Sequence, residues 1–160
     1  MKRAPGENLT EETGCTCGCG GEGEGKKRII FPCAGASNVG QLTNIAALEL
    51  EDEGYGTFAC TVRLAAGAAE MKEQCKEADE IVVLDGCPNR CVAAVAAAQG
   101  IEPDQAVVVS ELGIEISHDF EISDEEIEIV LGAVWGGQGR GEKRAPHDHA
   151  GDCTCGCGRK

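Results

Sequence analysis

The chain reads as a small three-layer α/β/α domain, with helices on both faces of a mostly parallel, four-stranded sheet. Three features of the sequence carry that reading. Short runs of branched apolar residues recur through the middle of the chain, apolar throughout rather than alternating, as strands covered on both faces are. Segments of helical periodicity separate them, the βαβ rhythm of a parallel sheet. Hydrophobic residues reach 42% of the 160 residues while aromatic ones are only 3%, so the core is built from Val, Ile, Leu and Ala. A chain of this length has room for one domain.

The elements follow in order. KRIIFPC (27–33) is a short apolar run ending in Pro-Cys and suits a buried strand. Ser37 or Asn38 then caps a helix carrying Val39, Leu42, Ala46 and Leu50 on one face, and Gly54 stops it. YGTFAC (55–60) is a second strand, and Met71, Cys75 and Ala78 mark a second helix face. IVVL (81–84) is a third strand, followed by a helix over 88–99 that Gly100 closes, and AVVVS (106–110) is the fourth strand. The last helix opens with a capping box, Ser123 and Glu126, inside a hydrophobic staple of Ile122 and Ile127. Val130, Leu131 and Val134 continue its apolar stripe.

Charge and composition narrow the function. A formal net charge of −14 makes nucleic acid and anionic membrane surfaces poor partners, because phosphate binding needs clustered Lys and Arg. No apolar stretch resembles a signal peptide or approaches the ~20 residues of a membrane span, so a cytoplasmic protein is expected. In that reducing setting, eleven cysteines point to metal or thiol chemistry rather than to disulfides.

Four of these cysteines belong to the central domain's sheet edge. Cys33, Cys60 and Cys87 each fall at or just past the C-terminal end of an expected strand. In a parallel sheet those ends share the edge where ligands bind. Cys91 follows Cys87 in LDGCPNRC (84–91). With Pro88 as the first helical residue, Cys87 becomes the N-cap and Cys91 lies one turn further on the same face. The helix dipole and Arg90 would favour both thiolates. Asp85 and Gly86 form the strand-to-helix turn, with Asp85 bonding loop N–H groups or supporting a ligand from behind. Four thiolates match a closed zinc site, or less readily an iron–sulfur cluster. Set against this is the plainer reading of cysteines as small buried hydrophobes.

Together FPCAGASNVG (31–40), the strand-end Cys60, IVVLDGCPNRC (81–91) and VVVSELGIE (107–115) resemble the DGC-domain family. That family takes its name from the Asp-Gly-Cys tripeptide found here at 85–87, and its zinc assignment is largely an inference from its cysteines. The resemblance covers the central domain, taken as 27–139, and leaves out tails at 1–26 and 140–160. It implies a small α/β domain in which Cys33, Cys60, Cys87 and Cys91 are zinc ligands. After Cys60 the chain reads TVRLAAGAAEM, where the family has a glycine-richer loop.

Other residues have plainer readings. Cys75, in line with Met71, is core packing. Gly35 and Gly40 serve a turn, since no phosphate-loop lysine accompanies them. His118 is a solvated surface residue. The DEEIE run (124–128) is a dipole-favoured helix start rather than a catalytic carboxylate pair.

The tails are Cys- and Gly-rich, expected to be flexible, and repeat each other: GCTCGCGG at 14–21 answers DCTCGCGR at 152–159. Cys15, Cys17 and Cys19, and Cys153, Cys155 and Cys157, each place three thiols within five residues, with His147 and His149 just before the second set. That spacing suits capture of soft metal ions. The expected function is therefore a metal-binding protein whose core holds zinc and whose tails capture or transfer thiophilic ions. Its partners would be metal ions and a thiol-redox or metal-transfer protein. The alternative is a thiol redox or sulfur-transfer enzyme using Cys87 and Cys91. No Ser-His-Asp set or Cys-His pair argues for other catalysis.

Overall fold

A computed structural model describes residues 25–141. Strand β1 (Arg28–Pro32) leads into helix α1 (Asn38–Asp52), then β2 (Thr57–Phe58). Two helices follow, α2 (Thr61–Ala65) and α3 (Ala69–Glu77), then β3 (Glu80–Asp85) and α4 (Cys91–Ala98). The chain continues through β4 (Gln105–Val108) and a 3-10 turn (Val109–Leu112) to α5 (Asp124–Trp135). The sheet order is β2-β1-β3-β4, and every strand pair is parallel. The expected α/β architecture stands.

Successive strand residues serve opposite layers, as the two-residue strand period requires. Ile30, Val82, Leu84 and Val107 pack with α1 and α5 on one face. Ile29, Phe31, Ile81 and Val83 pack with α2, α3 and α4 on the other. Tyr55 in one layer and Phe31 in the other are the largest fully buried side chains, and Val, Ile, Leu and Ala make up most of the rest. Each buried Val, Leu or Ile contributes about 1.5–3 kcal/mol relative to exposure.

The caps behave as their residues dictate. Ser37 Oγ accepts the Gly40 N–H at 3.3 Å at the start of α1. Asn38 holds the distant 115–117 segment: its Nδ2 donates to Glu115 O at 2.8 Å and its Oδ1 accepts the Ser117 N–H at 2.7 Å. At α5 the Ser123–Glu126 capping box is complete, and Ile122 and Ile127 both pack on the α1/α5 core.

Several boundaries differ from the expectation. β2 is two residues long rather than six, and Val109 and Ser110 belong to a 3-10 turn rather than to β4. The five-residue helix α2, unforeseen in the sequence, fills TVRLA just where the chain departs from the family's glycine-rich loop. The helix after β3 begins at Cys91, three residues later than expected. Among the described residues no helix is long and apolar enough to cross a membrane.

At the start of β3, opposite the cysteine edge, Glu80 gathers three cations. Lys26 Nζ lies 2.7 Å and Arg28 Nε 2.6 Å from its carboxylate, and Arg140 reaches it at 3.7 Å. Arg140 also pairs antiparallel with Gln105 on the outer side of β4, so the chain after α5 returns to this end of the sheet. Tyr55, Gln105 and Arg140 form a hydrogen-bonded cluster beneath it.

Candidate thiol edge at the C-terminal ends of the strands

Parallel register brings the strand ends to one edge, and the loops that follow are locked there by backbone contact. The Cys33 N–H donates to Leu84 O at 2.8 Å, extending the β1–β3 ladder by one residue. Thr43 Oγ1 donates to the Cys33 carbonyl, which ties the β1–α1 loop down onto α1. A Cβ on Gly86 would stand 2.8 Å from Gly40 N, and one on Gly40 would stand 2.7 Å from Gly35 O. The glycine of Asp-Gly-Cys is thus required because the β3 loop passes directly over the start of α1. Gly35 and Gly40 are explained by the same close packing.

The expected helix cap is not Cys87. Cys87 O accepts the Arg90 N–H at 3.1 Å, closing a turn through Pro88 and Asn89. Arg90, at φ 48 and ψ 49, is the N-cap of α4 and the only described non-glycine residue with positive φ. Such a conformation costs on the order of 1–2 kcal/mol in a residue with a Cβ. Cys87 therefore stands outside the helix and is not the same-face i, i+4 neighbour of Cys91.

Asp85 supplies the cap instead. Its Oδ1 accepts the Val92 N–H at 2.7 Å and its Oδ2 the Ala93 N–H at 3.2 Å. Burial, the larger influence, raises the Asp85 pKa against the lowering effects of those two hydrogen bonds and the Arg90 charge. The helix N–H groups expected to stabilise thiolates are in this way occupied by a carboxylate. Arg90 itself pairs with Glu111 at 3.3 Å on the surface.

The four cysteines divide between the two layers. Cys33 is half-buried against the α2/α3/α4 core. Cys60 is exposed at the N-cap of α2, and Cys91 is exposed at the first residue of α4, both helices of that same layer. Cys87 is half-buried against the opposite, α1/α5 core. Among the described residues, no group of three or more His, Cys, Asp or Glu side chains lies close enough together to hold a metal ion. The donor chemistry suits a thiophilic ion such as zinc; the positions do not form a closed shell as they stand.

Two neighbouring features escaped the sequence reading. Cys60 lines an open groove of about 510 Å³ between β2, α2 and α3, with Lys27, Phe58, Arg63 and Met71. Beside the Cys87 loop, the Ser110 N–H donates to Gly86 O at 3.1 Å, while the Ser110 hydroxyl is buried without a partner among the described residues. Neither has a periodic or motif signature that would mark it in advance. Cys75 is buried in the α2/α3/α4 core as expected, where burial raises its pKa. The tail residues Cys15, Cys17, Cys19, His147, His149, Cys153, Cys155 and Cys157 lie outside the described residues.

The DGC-domain family model matches residues 29–134, from β1 to the last turn of α5. The chain belongs to the DGC-domain family. This DGC domain is also similar to the anaerobic and virulence modulator AnvM of Pseudomonas aeruginosa, 29% identical over 100 residues. That match covers 61% of this chain and 76% of AnvM. No solved structure matches the chain. The glycine and the aspartate that name the DGC domain have structural duties here, the close approach at Gly40 and the α4 cap. The cysteine of the tripeptide has none comparable.

Proposed function

We propose that this DGC domain binds a thiophilic metal ion, zinc foremost, at the C-terminal edge of its sheet. The observation that supports this most directly is that Cys33, Cys60 and Cys91 all follow strand ends at that edge, on the side of the α2/α3/α4 layer. Cys87 would supply the fourth thiolate once the Cys87–Arg90 turn rearranges, and Arg90's left-handed backbone makes that turn the strained part of the edge. Asp85 would stay in place as the α4 cap, fixing Cys91 from behind. Zinc in such a site is structural or stored, since four thiolates leave no open position for substrate. Iron–sulfur ligation is the less favoured version of the same shell. The tails capture thiophilic ions and exchange them with the core or with a metal-transfer protein, and the protein works in the cytoplasm.

The exposed Cys91 at the start of α4 favours one second reading, a thiol that exchanges electrons or sulfur with a partner protein. Modulation of anaerobic behaviour, as AnvM's name states for that protein, is compatible with either chemistry.

One experiment separates them. The full chain with its six tail cysteines changed to Ser is purified anaerobically, and its metal content is measured by mass spectrometry. About one zinc per chain, lost in Cys33→Ser and Cys91→Ser, supports the metal site. A metal-free protein in which Cys91 alkylates at once, with or without chelator, overturns it.

A further inference from the structure

The groove beside Cys60 has a charge unlike that of the chain as a whole. It holds about 510 Å³ between β2, α2 and α3, a volume in the range of small-molecule sites. Ile29, Phe58 and Met71 give it apolar walls, and Lys27 and Arg63 stand in it as cations. Glu77 is its only acidic lining residue. Two cations to one carboxylate reverses the balance of a chain with 28 acidic and 14 basic residues. The positive charge is also available. Lys27 pairs with Glu77 at 3.0 Å and Arg63 with Glu70 at 2.8 Å, but all four side chains are more than half exposed. Exposed pairs of this kind contribute about 0–1 kcal/mol, so an arriving carboxylate displaces them at little cost.

The thiol in this groove is fixed in position. On one side of Cys60 the Ala59 N–H donates to Ile30 O at 2.9 Å, and on the other the Thr61 hydroxyl donates to Pro32 O at 2.7 Å. Both bonds anchor the Cys60 backbone to β1. Although Cys60 is the N-cap of α2, its exposed side chain makes no cap hydrogen bond. Apolar walls, two cations and a sulfur free of capping duty together suit a small anionic thiol compound.

We propose that the groove receives the disulfide of a small carboxylate-bearing thiol and that Cys60 captures half of it as a mixed disulfide. The Cys60 thiolate attacks one sulfur, the S–S bond of the arriving disulfide breaks, and the other half leaves as a thiol with the proton that Cys60 gave up. The arriving disulfide is the oxidant: it is reduced as Cys60 is oxidised. Lys27 and Arg63 take the carboxylates, while Phe58 and Met71 cover the carbon chain. A zinc ion and the adduct compete for one sulfur, so the modification belongs to the metal-free chain and goes beyond the metal reading.

The test uses the full chain with its six tail cysteines changed to Ser, reduced and stripped of metal. It is reacted in parallel with glutathione disulfide, which carries carboxylates, and with hydroxyethyl disulfide, which carries none. Peptide mass spectrometry gives the rate of adduct formation at Cys60 and at Cys91, an exposed cysteine that does not line the groove. The ratio of the glutathione rate to the hydroxyethyl rate is about tenfold higher at Cys60 than at Cys91, as charge focusing in a cleft predicts. In K27A/R63A that ratio falls to the Cys91 value. Equal ratios at the two cysteines of the parent protein, or a Cys60 preference that survives in K27A/R63A, overturn the proposal. The protein is metal-free throughout, so either result leaves the zinc reading to its own measurement.

Discussion

Asp85 Oδ1 lies 2.7 Å from the Val92 backbone nitrogen, so the last residue of β3 caps the helix that starts six residues later. The carboxylate is 2% exposed and also takes the Ala93 N–H. This bond joins the strand end to the helix start and leaves the Cys87–Arg90 turn as a closed excursion between them. Cys87 and Cys91 both lie between its two ends.

Replacing Asp85 therefore disturbs the edge in a defined way. Asp85→Ala leaves two helix N–H groups without their acceptor and lowers stability by about 1–3 kcal/mol, measured by urea unfolding.

The pH dependence of the same residue has a definite sign. Because the folded pKa is raised above 3.8, the folded chain holds this proton to higher pH than the unfolded chain. Asp85's contribution to stability therefore declines as pH rises from that ordinary value to the raised one, and is level above it. In Asp85→Asn this decline is absent, so the stability gap between wild type and variant narrows as pH rises through the window. A gap that widens instead contradicts the sign.

Glu80 titrates in the opposite direction. Burial works against its charge, but hydrogen bonds from Lys26 and Arg28 and the charges of Arg28 and Arg140 outweigh it and lower the pKa. Stability from this group is present above the ordinary carboxylate pKa and is lost as pH falls through the lowered one. Glu80→Gln costs about 1–2 kcal/mol at neutral pH, mostly through the well-shielded Arg28 pair, and nothing at pH values below the lowered pKa. Chemical denaturation at the two pH extremes checks this.

Two glycines predict opposite outcomes. Gly86→Ala drives a Cβ to 2.8 Å from Gly40 N and lowers stability by about 1–3 kcal/mol. Gly132→Ala, in the middle of α5 with open space around the new methyl, raises it by about 0.5–1 kcal/mol. Thermal melts of the two variants side by side separate close packing from chain entropy.

Thiol reactivity ranks the core cysteines. In reduced, metal-stripped protein, peptide mapping after brief alkylation finds Cys60 and Cys91 labelled first and Cys33 and Cys87 more slowly. Cys75 stays unlabelled until the chain unfolds, because it is buried and its pKa is raised. Labelling of Cys75 ahead of Cys87 contradicts the packing described here.

Local pattern carried much of the architecture. Apolar runs at RIIFP and EIVVLD became central strands, Ser37 and Ser123 capped their helices, and the Ile122–Ile127 staple closed on its core, because each depends on residues within a few positions of one another. The arrival of Cys33, Cys60 and Cys87 at one edge follows from parallel pairing and was legible in the same way. The start of α4 was not, because Pro88 offers a sound local cap site while the prevailing acceptor, Asp85, lies outside the turn and acts through space. Cys33 keeps the alternation of Ile29 and Phe31 onto the α2/α3/α4 core, but spacing could not reveal that Cys87 leans on the α1/α5 core, since loop geometry resets the alternation past the end of β3. The meeting of Lys26 and Arg140 on Glu80, more than fifty residues from either, likewise depends on strand order. Periodicity encodes which face a residue seeks; only closure of the sheet sets which distant groups share it.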